Sequence, residues 1–486
     1  MGLLDEASWV GRIKLLEWAN GRAGSRAVTE PATGAELGQV GMATPQDVAD
    51  AVETSARAQP EWARLPYTER AAVLRRAGEL FEQTAEEVGD WIVRETGSIP
   101  GKAAFETHTA AQECFEAAAL ASYPYGQLLR SAQPRLSLAR HLPVGVVGVI
   151  SPFNVPIVLA IRAVAPALAL GNAVVLKPDP RTAVSGGVVL ARIFEEAGLP
   201  AGLLTVLPGG ADVGEALVTH PRVPVIAFTG STRGGRAVAR AAAEHLKRVH
   251  LELGGNSAMI VLDDVDIDRA ASVGAWGSFF HQGQVCMATA RHLVHESVAD
   301  AYAEALAARA EKVPVGDPAS GTVLMGPVID TVQRDAIHAA VTETIDAGAR
   351  LRAGGTYDGL FYRPTVLDAV PLDSPVYATE VFGPVAPVVT FTSLDEAAEL
   401  ALGTEYGLSL GILTRDVTKG LELAERIPTG LVHINDQTIN DEAVVPFGGL
   451  GASGTGSRHG GHEANLEAFT ETQWVTVRGD LPSYPF

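Results

Sequence analysis

Hydrophobic and polar positions divide this chain into stretches of different period. From residue 44 to 120 apolar positions recur at helical spacing among Ala, Glu and Arg, a composition that predicts exposed helices. The pattern changes over 121–141. After a Pro- and Gly-containing turn, Leu136-Ser-Leu-Ala-Arg-His141 alternates as a strand does, and so does Gln473-Trp-Val-Thr-Val-Arg478 near the end of the chain. Two such segments are expected to pair with each other or with the edge of another subunit. Four short apolar runs (144–150, 173–177, 203–207 and 225–228) alternate with helical patterns such as 185–197. Continuous apolar strands separated by helices predict a parallel sheet covered on both faces. A second α/β region follows over about 259–435, with candidate strands at 288–294 and 385–391. No internal repeat or low-complexity tract stands out.

Composition narrows the class. The chain has 486 residues, 47% of them hydrophobic and 19% charged, which suits a folded protein of two or three domains. A net charge of −20 argues against a nucleic-acid partner, whose recognition needs clustered Lys and Arg. The most membrane-like stretch, 155–176, contains Pro156, Arg162, Pro166 and Asn172, and reads as buried α/β core. Met1-Gly-Leu-Leu-Asp-Glu-Ala lacks the basic and apolar regions of a secretory signal. With only two cysteines, no disulfide framework is possible, so a reducing, cytoplasmic setting is expected.

Those two cysteines differ in setting. Cys114 lies in a helical stretch without an adjacent base or cation cluster and is expected to be buried and inert. Cys286 sits in Phe279-Phe-His-Gln-Gly-Gln-Val-Cys286-Met-Ala, and upstream stands a carboxylate in the apolar, glycine-flanked run Leu251-Glu252-Leu-Gly-Gly-Asn256. A thiol that attacks carbonyl carbon and a carboxylate that deprotonates it, or a water, make a pair for covalent catalysis. Asn154, in Ser151-Pro-Phe-Asn154-Val-Pro156, is either a turn residue or an amide aimed at a developing oxyanion. His281 is assigned packing or hydrogen-bonding work. His292 and His295 point to opposite faces of a strand, so a metal role is not expected.

Phosphate-binding signals are individually modest. Thr229-Gly230-Ser231-Thr232 opens a helix expected over 236–246; it offers free N–H groups to a phosphate or is simply a cap. The literal G-x-G-x-x-G match, Gly449-Leu-Gly451-Ala-Ser-Gly454, does not sit between a strand and a helix and reads as a flexible loop. Lys177 ends an apolar strand ahead of Pro178-Asp-Pro180, the position from which α/β sheets bind ligands.

Together these runs resemble the NAD(P)+-dependent aldehyde dehydrogenase superfamily. The resemblance spans nearly the whole chain through Pro152-Phe-Asn154, Lys177-Pro178, Phe228-Thr-Gly-Ser231, Glu252-Leu-Gly-Gly255, Gly283-Gln-Val-Cys286, Glu380-Val-Phe382-Gly-Pro384 and Pro446-Phe-Gly-Gly449. The stretches from Arg162 to Asn172, Lys177 to Pro180 and His433-Ile-Asn-Asp-Gln437 resemble more narrowly the benzaldehyde, vanillin and salicylaldehyde dehydrogenase branch. The resemblance implies an α/β fold with a Rossmann-like cofactor domain (1–120 and 142–253), an α/β catalytic domain (254–461) and a small β bridging element (121–141 and 462–486) in a homodimer or homotetramer. It implies a small-molecule aldehyde as substrate, oxidised to the acid, with Cys286 as nucleophile, Asn154 holding the oxyanion and Glu252 activating water. Ser151, Phe153, Lys177, Pro180, Gly209, Gly230, Ser231, Gly234, Leu253, Glu380 and Phe382 would line the dinucleotide site.

One departure bears on the cofactor. Where many NAD+-preferring members carry Glu three residues after the lysine, this chain has Pro180, which removes a ribose acceptor and a charge that would repel a 2′-phosphate. Lys177, and Arg181 with it, is then expected to tolerate NADP+; the rival is plain NAD+ use with a looser ribose site. Rival activities are an aliphatic or semialdehyde dehydrogenase, a coenzyme-A-acylating dehydrogenase, and a cysteine-dependent hydrolase without a dinucleotide. Glu252 favours hydrolysis of a thioester over its transfer to a thiol.

Overall fold

The computed structural model describes residues 2–486. Its first sheet runs in the order Arg248–Glu252, Val225–Thr229, Val146–Ile150, Ala173–Lys177, Leu204–Val206, Arg12–Lys14, Trp18–Asn20. The first five strands are parallel, and four of them coincide with the expected apolar runs, Arg248–Glu252 being the addition; the last two are antiparallel. That edge was not legible, because three-residue strands with one fully buried side chain, Ile13, carry almost no period. Burial on two faces explains the continuous apolar runs. Val147, Val149, Val174 and Leu176 pack in one core with the helix Pro156–Ala169, while Val146, Ile150 and Val175 pack in another with Val48, Ala51 and Val52 of the helix Pro45–Arg64.

Every residue of Pro156–Ala169 is buried, as the reading of 155–176 as core requires. Among the described residues no helix is long and apolar enough to cross a membrane. Region 44–120 forms the helices Pro45–Arg64, Tyr67–Gln83, Ala85–Thr96 and Pro100–Leu120. The last departs from the expectation of exposed helices: packed on Tyr67–Gln83 and Pro156–Ala169, it buries Lys102, Glu106, Glu113 and Cys114. Burial pushes the Cys114 thiol far up, as expected of an inert side chain. The helix expected over 236–246 spans Thr232–Ala243, because Ser231 caps it, its hydroxyl accepting from the Gly234 N–H at 3.2 Å.

The second sheet runs Arg350–Ala353, Thr365–Asp368, Val385–Phe391, Thr289–His295, Ser257–Val261, Ser409–Leu413, Leu431–Ile434, all parallel except the first. In a third, Thr470–Val477 pairs antiparallel with Leu136–Pro143 along its length, so the two alternating segments pair with each other, and Gly126–Leu128 adds a third strand.

The two large sheets meet end to end. Glu252 closes one strand and Ser257 opens the next, in the other sheet. The carboxyl ends of the first sheet's strands therefore face the amino ends of the second's. Open α/β sheets bind ligands at such carboxyl ends, where strand order reverses. Here that reversal lies between Val146–Ile150 and Val225–Thr229.

Candidate active site

Three side chains converge where the sheets meet. Cys286 is half-buried, three residues ahead of Thr289–His295. Asn154 follows the strand ending at Ile150; its Nδ2 donates to the Gln284 carbonyl at 2.9 Å, which ties the amide to the cysteine loop and leaves its second N–H unassigned. Glu252 is 3% exposed, and neither carboxylate oxygen has a hydrogen-bond partner among the described residues. Burial raises its carboxyl well above the usual range, against the opposing pull of Arg162 and Arg458. Burial also pushes the Cys286 thiol up to about 12, helped by the nearby carboxylates of Glu380, Glu252 and Asp441. A thiol held that high needs a base or a neighbouring positive charge before it attacks.

Glu380 and Phe382 reach the same place from the segment before Val385–Phe391. Glu380 Oε1 accepts from the Gly255 N–H at 2.9 Å, and burial pushes its carboxyl up to about 7. Its carboxylate rests so close on Gly254 that a Cβ there would collide with it, and a Cβ on Gly255 would collide with the Cys286 carbonyl, which together account for the glycine pair. Phe382 adopts a left-handed backbone (φ 52°), clamped by Gln333 Nε2 donating to the carbonyls of Val381 and Phe382 at 3.1 and 3.0 Å. Its ring meets Phe153 edge-on at 5.9 Å.

The carboxyl ends of the strands hold the remaining candidates: Ser151 and Phe153 after one strand, Lys177 closing the next with Pro180 just beyond, then Gly209, Gly230 and Ser231 in loops and Gly234 in the first turn of the helix Thr232–Ala243. Leu253 packs against the site of Gly235. The Gly230 N–H is spent on the Glu252 carbonyl at 3.0 Å, so that turn secures the catalytic strand and presents fewer free donors than expected. Lys177 is 8% exposed and forms no salt bridge among the described residues, which fits an anionic or hydroxylated ligand at this edge. Arg181, the other cation considered for a 2′-phosphate, is committed elsewhere: it bridges Asp179 and Asp330 at 2.8 Å each and lies 4.2 Å over the Phe153 ring.

The loop 449–454 is no dinucleotide fingerprint, but it is not flexible either. Ser453 O accepts from Leu253 N at 2.9 Å, Ala452 O from Thr232 Oγ1 at 3.1 Å, and Gly454 bridges to Glu252 itself. It braces the backbone that carries Glu252. His281 is buried beside Lys102 and, pushed far below its usual pKa by burial, stays neutral. His292 bonds Ser278 and Tyr302 within the core, each at 2.7 Å.

The family profile of aldehyde dehydrogenases ("Aldehyde dehydrogenase family") matches residues 18–475. The chain belongs to the aldehyde dehydrogenase family. It is 64% identical to a vanillin dehydrogenase of Amycolatopsis sp., with all of both chains covered, and 50% identical to the benzaldehyde dehydrogenase [NAD(+)] of Pseudomonas putida, over 99% of each. Among solved structures it is similar to betaine aldehyde dehydrogenase of Staphylococcus aureus in complex with NAD+ (28% identity, TM-score 0.95, covering 99% of this chain and 97% of that one). It is similar also to an E. coli NADP dependent enzyme (32% identity, TM-score 0.94, covering 97% and 99%). This aldehyde dehydrogenase is therefore an NAD(P)+-dependent oxidoreductase acting on an aldehyde, as the motifs implied.

Lys102 and Glu106, an ion pair buried in the helix Pro100–Leu120, escaped sequence reading. Lys102 Nζ donates to the Asn154 carbonyl at 3.0 Å and Glu106 Oε1 accepts from Ile157 N at 2.7 Å, so the pair fixes the backbone on either side of the Asn154 loop. Their i,i+4 spacing was visible, but it reads equally as a surface pair. Lys102→Met strands a buried carboxylate and is expected to cost about 3–5 kcal/mol, seen as a lowered Tm. The double variant Lys102→Met/Glu106→Leu is expected to recover Tm yet keep a reduced kcat. Full recovery of both would make the pair merely structural.

Proposed function

We propose that this enzyme oxidises an aromatic aldehyde of the benzaldehyde or vanillin type to its carboxylic acid. Cys286 Sγ gives its proton to a water molecule and bonds to the carbonyl carbon, the carbonyl π pair moves to oxygen, and the resulting oxyanion is held by the free N–H of the Asn154 amide and the Cys286 backbone N–H. NAD(P)+, when bound, accepts the hydride, which leaves a thioester on Cys286. Glu252 takes a proton from the water that attacks this thioester; the C–S bond breaks, the acid departs and the thiol is restored. The observation that carries this reading is the buried Glu252 carboxylate, unpartnered on both oxygens, in reach of the Cys286 charge.

The aromatic preference rests on the vanillin and benzaldehyde dehydrogenases named above and on the apolar walls of the thiol's surroundings: Phe447, Ile439, Val445 and Phe280, with Trp276 stacked on Phe280 at 4.7 Å. A substrate panel of benzaldehyde, vanillin, salicylaldehyde and short aliphatic aldehydes tests it; faster turnover of the aliphatic ones contradicts it.

Lys177, Gly209, Gly230, Ser231 and Gly234 are assigned to the dinucleotide, with Glu380 and Phe382 toward its nicotinamide end and Ser151, Phe153, Pro180 and Leu253 shaping the floor. NADP+ is tolerated beside NAD+, because Pro180 supplies no carboxylate and Asp179 is neutralised by Arg181. Lys177 alone faces the 2′-phosphate. The expected ratio of kcat/KM for NAD+ over NADP+ stays below about a thousandfold and rises in Lys177→Ala; a larger ratio in the wild type contradicts tolerance.

The domain division proposed is the one implied by the motifs, with the three-stranded sheet as bridging element. Its edge strand Thr470–Val477 bears the exposed Trp474, which suits a homodimer or homotetramer in the cytoplasm.

A further inference from the structure

A closed circuit of contacts crosses the junction between the two large sheets. Arg181, in the loop after Ala173–Lys177, grips Asp179 of its own loop, Nε donating at 3.0 Å and Nη2 at 2.8 Å. Its Nη1 reaches over the junction and donates to Asp330 Oδ2 at 2.8 Å. Asp330 belongs to the other side. Its Oδ1 accepts from the Gln333 N–H at 2.9 Å and so caps the helix Thr331–Asp346, whose Ile337 and Val341 pack with Ile260 and Leu293 of the second sheet. From the first turn of that helix Gln333 Nε2 clamps the carbonyls of Val381 and Phe382. The Phe382 ring then meets Phe153 edge-on, and Phe153 lies 4.2 Å under the Arg181 guanidinium, which closes the circuit.

The circuit contributes position more than cohesion. The side chains of Arg181 and Asp330 are each 32% exposed, and ion pairs as wet as this hold a fold only weakly. A guanidinium is nevertheless a planar fork with fixed donor directions, so one side chain grips two carboxylates and still lays its face on a ring. Pro178 and Pro180, on either side of Asp179, restrict the backbone from which it reaches. At the far end Phe382 holds a left-handed φ that an aromatic residue seldom adopts. Backbone strain of this kind persists where surrounding contacts enforce it, and it collects at sites where position matters.

We propose that Arg181 is a positioning residue for hydride transfer. Through Asp330 and Gln333 on one side and Phe153 on the other, it fixes the spacing of the Phe153 and Phe382 rings. This rests on the assignment above of Phe382 to the nicotinamide end of the site and of Phe153 to its floor. NAD(P)+, when bound, accepts the hydride with its electron pair from the carbon on Cys286 Sγ, as the oxyanion pair closes the thioester C=O. A misplacement of about 1 Å slows such a step by about a hundredfold, even when its cause lies away from the reacting atoms.

The test uses Arg181→Gln, Asp330→Ser and the two combined; serine keeps a capping oxygen but is too short to hold Arg181. In each single variant the burst of reduced cofactor, at saturating NAD+ and benzaldehyde, is expected to slow by about ten- to a hundredfold. The double variant is expected to stay within about threefold of the slower single one, since either change opens the same circuit. Two readouts need no turnover. Bound NADH is expected to show a shorter fluorescence lifetime in the variants, as its nicotinamide ring moves more freely. ADP-ribose, which lacks that ring, is expected to bind Asp330→Ser as it binds the wild type. Asp330→Ser carries the test if Arg181→Gln does not fold. Wild-type burst rates and lifetimes in the variants overturn the proposal, and so do losses that multiply in the double variant. A loss of ADP-ribose affinity by Asp330→Ser as large as its loss of NADH affinity overturns it too, because the circuit would then be merely structural. Phe382→Ala separates this inference from the reading beneath it. If Phe382→Ala alone changes burst and lifetime, the inference fails and the nicotinamide assignment stands; if it changes neither, both fail.

Discussion

Cys286→Ala is expected to abolish aldehyde oxidation while dinucleotide binding, followed by fluorescence titration, stays close to that of the wild type. The loss is the largest available in this protein. Covalent catalysis divides one difficult step into two, and no other thiol substitutes, since Cys114 is fully buried in the core. Cys286 makes few structural demands: it is half-buried, and truncation to Ala removes one sulfur at the border of an apolar group. Tm should therefore move little. A variant retaining a substantial fraction of activity contradicts the assignment of the nucleophile.

Glu252→Gln is expected to separate the two stages. The amide fills the same volume but cannot take a proton from water, so acylation and hydride transfer proceed once and the thioester persists. Rapid mixing should show a single burst of reduced cofactor near one equivalent per site, followed by a steady rate lower by about two to four orders of magnitude. Absence of the burst would place Glu252 earlier, on the thiol. Wild-type deacylation carries a matching pH signature. Burial holds the Glu252 carboxyl well above the usual carboxylate range, so the carboxylate form, and with it the rate, increases with pH through a midpoint above that range. Arg162→Met removes the largest opposing charge and is expected to move the midpoint higher still.

Much of this architecture is legible in the chain because it depends on local pattern. The apolar runs at 144–150 and 173–177 announce strands buried on both faces, and the alternating segments near 136 and 473 find each other. Motif chemistry singles out Cys286, Glu252 and Asn154 as one catalytic set. What stays hidden depends on long-range contact or unusual backbone. Arg162 meets Asp441 across 279 residues, and nothing local predicts it. Lys102 and Glu106 look like a solvated helix face until another helix covers them. Phe382 needs a left-handed φ that its residue type disfavours and that only the Gln333 clamp enforces. The loop 449–454, glycine-rich and so read as flexible, is braced by partners nearly 200 residues away or more, such as Leu253 and Thr232.

The central claim is that an aroyl group is carried on Cys286 between hydride loss and water entry. Intact-protein and peptide mass spectrometry of Glu252→Gln, mixed with NAD+ and benzaldehyde and quenched in acid, tests it most directly. The account predicts one benzoyl group per chain, on the peptide containing Cys286 and absent when cofactor is omitted. An unmodified Cys286 after a full equivalent of NADH has formed, or the acyl group on another residue, would contradict it.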